Sequence, residues 1–205
     1  MVRITQEARE GTRLRLLEAA ASEFAGAGLQ RANINEISVA AGLAKGTVYN
    51  YFDSKEELFL AVVEEACRRA AAGADTPRGS STRERLRAVL RSDVGWVREN
   101  EHFAQVLVRE MLSGNHKLPR IVAAAAPLLS RIAGILQDGV ERGEVRADVR
   151  VDRLALVFTG LSEVLLLQHW GSDGAWPPLD AIPDLAVQIF LDGASPSRGM
   201  DEGPS

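Results

Sequence analysis

The feature that most restricts this chain is the spacing of its apolar residues, which recur three or four positions apart through almost every segment. Alternating β-branched runs are missing, and no hairpin dipeptide separates strand-like stretches. Such a pattern buries its apolar side chains only as amphipathic helices, so an all-α fold is expected. With 205 residues the chain can form one or two compact units, each with its own core.

Local punctuation divides the pattern into elements. The first helix is expected from Thr12 to Ala27, with Leu16, Ala20 and Phe24 on one face and Gly28 as its stop. A second, short helix opens at Asn33, whose side chain can cap it, with Glu36 completing a capping box; Gly42 ends it. A third runs from Lys45 to Phe52. Ser54, followed three residues later by Glu57, caps a fourth carrying Leu58, Ala61, Val62 and Ala66. Gly73 to Ser81 reads as a linker, and Ala194 to Ser205 as a disordered tail. Between them, helices are expected near 82–99, 101–113, 118–142, 152–170 and 180–192. Asn100, Gly114, Gly143 and Gly193 are the stops, and Pro127 is expected to kink or split the third of these helices. The domain division expected is 8–55, 56–193 and the tail 194–205.

Two short helices joined by Gly42-Leu43-Ala44 form a helix-turn-helix, the second lying in a DNA major groove while the first supports it. In the second, Val48 and Phe52 are four apart and face inward, which leaves Lys45, Gly46, Thr47, Tyr49 and Asn50 on or beside the outer face. Gly46 permits close backbone approach, Thr47 offers a hydroxyl and a methyl, Asn50 suits the edge of adenine, and Tyr49 can stack or contact phosphate. Charge agrees in sign: residues 1–55 hold seven cations and six acids, whereas 56–205 hold 17 and 22. An anionic partner therefore meets the first unit.

The blocks Leu16-Leu17-Glu18-Ala19-Ala20 through Phe24 and Gly28, Ile37, and Ala40-Ala41-Gly42-Leu43 lead into Lys45-Gly46-Thr47-Val48-Tyr49-Asn50-Tyr51-Phe52 and Ser54-Lys55-Glu56-Glu57-Leu58. In order and spacing this stretch resembles the DNA-binding domain of the TetR (tetracycline repressor) family of transcriptional regulators. The resemblance implies a homodimer reading successive major grooves of a palindromic double-stranded DNA operator. An eight-residue helix is only about 12 Å long, so one copy touches few base pairs. It further implies that Thr47, Tyr49 and Asn50 face the groove, that Tyr51 and Lys55 contact phosphate, and that Asn33 touches phosphate from its helix start. Ala44 departs from the Ser or Thr common at that place, and with it goes a cap.

The second domain is expected to be a larger helical, ligand-binding and dimerisation domain. Helix 152–170 is apolar nearly all round, with Leu154, Val157, Phe158, Leu161 and Leu165 on one face and Leu156, Val164 and Leu167 widening it. Such a helix must be covered on both sides, either by a thick core of its own chain or, as the resemblance implies, by the last two long helices pairing with those of a second copy as a four-helix bundle. The resemblance also implies a pocket for a small-molecule effector. Phe103, Met111, Phe158 and Glu163 are the candidates, Glu163 being an acid among Leu and Val that faces either the pocket or the dimer partner.

Other classes find no support in the pattern. His102, His116 and His169 have no metal-ligand spacing, Cys67 is alone, and Gly160-Leu161-Ser162-Glu163 lacks the closing glycine of a nucleophile elbow. Neither catalysis nor a metal or cofactor is expected. Leu154–Trp170, with 17 residues including Glu163, is too short and too polar for a membrane span, and residues 1–10 lack a signal-peptide core. The reading is a cytoplasmic, ligand-responsive repressor. A helical small-molecule-binding protein without operator binding is the alternative.

Overall fold

The structure, a computed structural model, describes residues 6–44, 46–71, 80–113 and 119–193. Lys45, the expected linker at 73–79, the stop at Gly114 and the tail 194–205 lie outside the described residues. Among them the elements are eight α-helices and two short 3-10 turns, with no strand, which is the all-α class expected.

Helix α1 (Gln6–Arg31) starts six residues before the predicted Thr12. The added segment, Gln6-Glu7-Ala8-Arg9-Glu10-Gly11, is made of strong helix formers apart from Gly11, with Glu7 in the first turn where the helix dipole favours an acid. Gly28 interrupts it with φ 73° and ψ 166°, so the predicted stop is a break after which one more turn forms. Then come α2 (Ile34–Ala40), a 3-10 turn at Thr47–Asn50 and α3 (Lys55–Ala71). The remaining helices are α4 (Thr82–Glu99), α5 (Glu101–Leu112), α6 (Pro119–Glu141), α7 (Val151–Gly171) and α8 (Ile182–Asp192). α6 continues through Pro127 as one helix, and Pro127 itself is exposed. By length and composition α6 could cross a membrane. Ile121, Ala125, Ile132, Ile135 and Leu136 are nevertheless buried in protein cores at helical spacing, as in a core helix.

Packing divides the chain into two units, Met1–Gly73 with Gly95–Leu128, and Ala74–Val94 with Leu129–Ser205. The first unit thus extends past the boundary drawn at residue 55, because α3 and α5 both pack on α1. Its core holds Leu16, Leu17 and Phe24 from α1, Ile37 from α2, Leu58 and Val62 from α3, and Phe103 from α5. Phe24 meets Phe59 edge to face, the rings 5.2 Å apart. A polar knot fixes the same helices. Arg69 donates to Glu65 (2.7 Å), Asn100 (2.9 Å) and Glu18 (2.6 Å), and its guanidinium lies 4.2 Å from the centre of the Phe103 ring. Burial pushes the Glu65 carboxyl up, but hydrogen bonds from Arg68 and Arg69 bring it below its ordinary value, so the charge is compensated.

The second unit has a separate core of Leu86, Ile135, Leu136, Phe158, Ile182 and Val187, in which Phe158 meets Phe190 at 5.0 Å. Pro183 sits in the first turn of α8, as expected, where its missing N–H removes no helical bond. The expected apolar face of α7 divides in two. Phe158 and Leu165 are buried with Ala155 and Ser162, whereas Leu156, Val157 and Val164 are 62%, 60% and 45% exposed. Ile189 on α8 is exposed as well.

Candidate DNA-binding interface

The interface is built on α2. Asn33 adopts extended backbone and its Oδ1 accepts the Asn35 N–H at 2.9 Å, the cap expected from sequence. The other half of the capping box differs: the Asn33 N–H donates to Glu23 of α1 at 3.0 Å, and so ties α2 to α1. Ile37 is fully buried, and Ser38 is buried with its hydroxyl on the Ile34 carbonyl. After α2 the chain reverses, Gly42 N–H going to Val39 O and Leu43 N–H to Ser38 O, both at 2.9 Å.

The segment predicted as an eight-residue helix is described instead as a four-residue 3-10 turn, Thr47–Asn50. Gly46 explains the difference. It sits at φ 90°, ψ −12°, a conformation that side-chain-bearing residues rarely adopt, so the helix cannot extend backwards through it. Beyond the turn, Val48 O accepts from both Tyr51 N–H (2.9 Å) and Phe52 N–H (3.0 Å), closing it tightly. Val48 and Phe52 point into the core at 1% and 4% exposure, as predicted. Tyr49 is 56% exposed, Gly46 and Asn50 are exposed, and Thr47 is partly so.

Around this turn the cations are arranged differently from a free basic patch. Lys55, at the start of α3, donates to the carbonyls of Gln30 (2.9 Å) and Ala32 (3.2 Å). Two of its three donors therefore secure the end of α1, which leaves one for an external anion. Ser54 caps α3 through the Glu57 N–H at 3.0 Å, as expected. Arg9 lies 5.8 Å from the centre of the Tyr51 ring and Arg13 lies 5.7 Å from that of Phe52. With Gln6 and Glu10 they line an open groove of about 680 Å³ beside Tyr51. The sequence pattern did not single out Arg9 and Arg13. Their four-residue spacing on a helix, facing the aromatic pair, was the available signal.

The expected effector residues fall into different units. Phe103 and Met111 belong to the first, Phe103 fully buried and Met111 at the core edge. Phe158 and Glu163 belong to the second, Phe158 fully buried and Glu163 half-buried on α7. Burial pushes the Glu163 carboxyl up to about 7. Cys67 is buried and its thiol is pushed up to about 11 by burial, which makes it a poor nucleophile.

A capped supporting helix, a reversal, and a short turn anchored by Val48 with Tyr49 outside define a helix-turn-helix regulator of transcription. Comparison with known proteins carries the assignment further. Residues 16–62 match the family of bacterial regulatory proteins, tetR family, and residues 79–194 match the tetracyclin repressor-like C-terminal domain. The chain belongs to the TetR family of transcriptional regulators. It is 27% identical over 199 residues to the HTH-type transcriptional repressor KstR2 of Rhodococcus jostii, covering 92% of this chain and 94% of that one. To the fatty acid metabolism regulator protein of Bacillus subtilis it is 23% identical over 185 residues, covering 88% and 94%. Among solved structures, FadR from Bacillus subtilis in complex with stearoyl-CoA superposes with a TM-score of 0.75 at 21% identity, covering 89% of this chain and 99% of that one.

Proposed function

We propose that this chain is a cytoplasmic, homodimeric repressor that grips a palindromic operator through residues 8–55 and releases it when an acyl thioester binds within residues 56–193. The observation that carries the DNA reading is the turn in which Val48 is buried while its neighbour Tyr49 is more than half exposed. An aromatic ring held outside the core on a rigid, Gly46-led turn is suited to a groove. Thr47, Tyr49 and Asn50 form the groove-facing set, with Gly46 giving close approach and Lys45 adding charge. Asn33, Tyr51 and the third donor of Lys55 serve the flanking phosphates.

The dimer reading rests on Leu156, Val157, Val164 and Ile189, an exposed apolar face running over α7 and α8. A second copy laid against it as a four-helix bundle removes that face from water. Two turns about one helical repeat apart then read both half-sites. The effector reading follows the relatives, one a regulator of fatty acid metabolism and one crystallised with stearoyl-CoA. The effector acts by population shift, favouring a conformation whose two turns no longer match adjacent grooves. Repression follows from obstruction of polymerase by the bound dimer.

The test is a mobility-shift titration against the DNA flanking the gene. Tyr49→Ala should lower affinity at least tenfold while the dimer sediments unchanged, affinity should fall steeply with salt, and stearoyl-CoA should release the complex. Unaltered binding by Tyr49→Ala would remove that residue from the interface. A chain that takes up stearoyl-CoA but binds no duplex would be the helical small-molecule-binding alternative.

A further inference from the structure

Helix α1 is broken at Gly28, and the chain beyond the break leads to the recognition turn: one more helical turn to Arg31, then Ala32, the Asn33 cap and α2. The Gly28 backbone, φ 73° with ψ 166°, lies in a region open essentially to glycine alone. Nothing lies within 4 Å of the place where a Cβ would stand, so packing around Gly28 does not fix the angle of the break. Glycine is also the residue freest to change that angle. What holds the break is therefore a matter of polar tethers.

A helical residue has ψ of about −42°, and ψ 166° swings the Leu29 N–H away from the Ala25 carbonyl that it meets in an unbroken helix. A carbonyl deprived of that donor favours straightening of the helix, which would restore the bond and carry α2 off with it. Arg109 of α5 meets the demand instead. Its Nη1 donates to the Ala25 oxygen in a partly buried bond that spans 84 residues of chain. The bond is charge-assisted, and so competes well with the backbone donor that it replaces. Beyond the break, Lys55 of α3 holds the Gln30 and Ala32 carbonyls, and Glu23 accepts the Asn33 N–H. All of these residues belong to the first unit. We propose that Arg109 is a positioning residue for operator recognition: by occupying the Ala25 carbonyl it keeps α1 broken at Gly28, and so sets where α2 and the turn Thr47–Asn50 stand. This assignment rests on the DNA reading above. Arg109 itself touches no DNA in it.

The experiment uses the full-length protein and two duplexes of equal length, one from the DNA flanking the gene that the wild type binds and one of scrambled sequence. Arg109→Met removes the donors and keeps the apolar stem. Its affinity for the first duplex should fall at least tenfold, while affinity for the scrambled duplex stays within about twofold and the salt slope is unchanged. Arg109→Lys still offers a charged donor to one carbonyl, and should return to within about threefold of the wild type. Gly28→Ala disfavours the broken backbone by itself, so it acts on the same feature. Combining it with Arg109→Met should cost clearly less than the sum of the two single losses. Unchanged operator affinity in Arg109→Met, a Lys variant as weak as the Met variant, or additive losses overturn the positioning role alone. So does an equal fall on both duplexes with a shallower salt slope, which is the mark of a phosphate contact. If the wild type binds no duplex at all, the DNA reading fails and the positioning role fails with it.

Discussion

Glu163 gives the sharpest test of how this protein handles buried charge. It sits on α7 between Gly160 and Leu167 on its own face, and burial lifts its carboxyl from 4.5 to about 7, with no neighbouring charge among the described residues offsetting the shift. The sign follows from linkage. Below pH 4.5 the group is protonated whether the chain is folded or not. From there to about pH 7 the folded protein holds a proton that the unfolded chain has released, so stability declines as pH rises through this window. Above it the full penalty applies. Holding the carboxyl at about 7 instead of 4.5 corresponds to roughly 3 kcal/mol, and partial solvation brings the expectation to about 1–2 kcal/mol. In a chain of this size that is a Tm change of about 2–8 °C. Glu163→Gln removes the ionisation and keeps the shape. Its melting curve should coincide with that of the wild type near pH 4.5 and lie above it by that amount at pH 8, at one protein concentration because a dimer is expected. A difference that is equal at both pH values, or a wild type that is more stable at pH 8, would refute the assignment of a desolvated, unpartnered carboxyl.

Gly46→Ala tests the recognition turn directly. Nothing lies within 4 Å of an added Cβ, so the cost is backbone strain alone at φ +90°, about 1–2 kcal/mol. Operator affinity should drop at least tenfold with the Tm lowered by only a few degrees, and full affinity in a mobility shift would show that the turn does not need this conformation. Lys55→Met should cost about 1–2 kcal/mol in urea unfolding, because two charge-assisted bonds to the Gln30 and Ala32 carbonyls are lost. It should also weaken specific and non-specific DNA alike, lowering the salt slope by about one. Sequence-selective weakening would contradict a phosphate role.

What could be read from the sequence was what neighbours along the chain decide. The helical period, the Ser54–Glu57 cap, the Asn33 cap and the inward pair Val48 and Phe52 each depend on residues within one turn, and each is where the sequence placed it. Where the structure differs, a partner distant in sequence has won. Glu36 was the local candidate for the Asn33 N–H, but Glu23, ten residues earlier on α1, takes it. Lys55 reads as a free phosphate contact until the end of α1, over twenty residues away, is brought to its ammonium. Asp93 and Arg131 are 38 residues apart, and no period or motif signals that they meet.

Helix α7 shows why that boundary falls where it does. Its near-uniform apolarity demands cover on both sides, and sequence alone said so. Which residues face which cover depends on α4, α6 and α8 arriving on one side, and only that packing leaves Leu156, Val157 and Val164 outside while Phe158 and Leu165 go inside. The same reasoning applies to function. The turn proposed to face DNA is legible because its residues stand next to one another in the chain, whereas an effector site assembled from single side chains on separate helices would leave no local pattern.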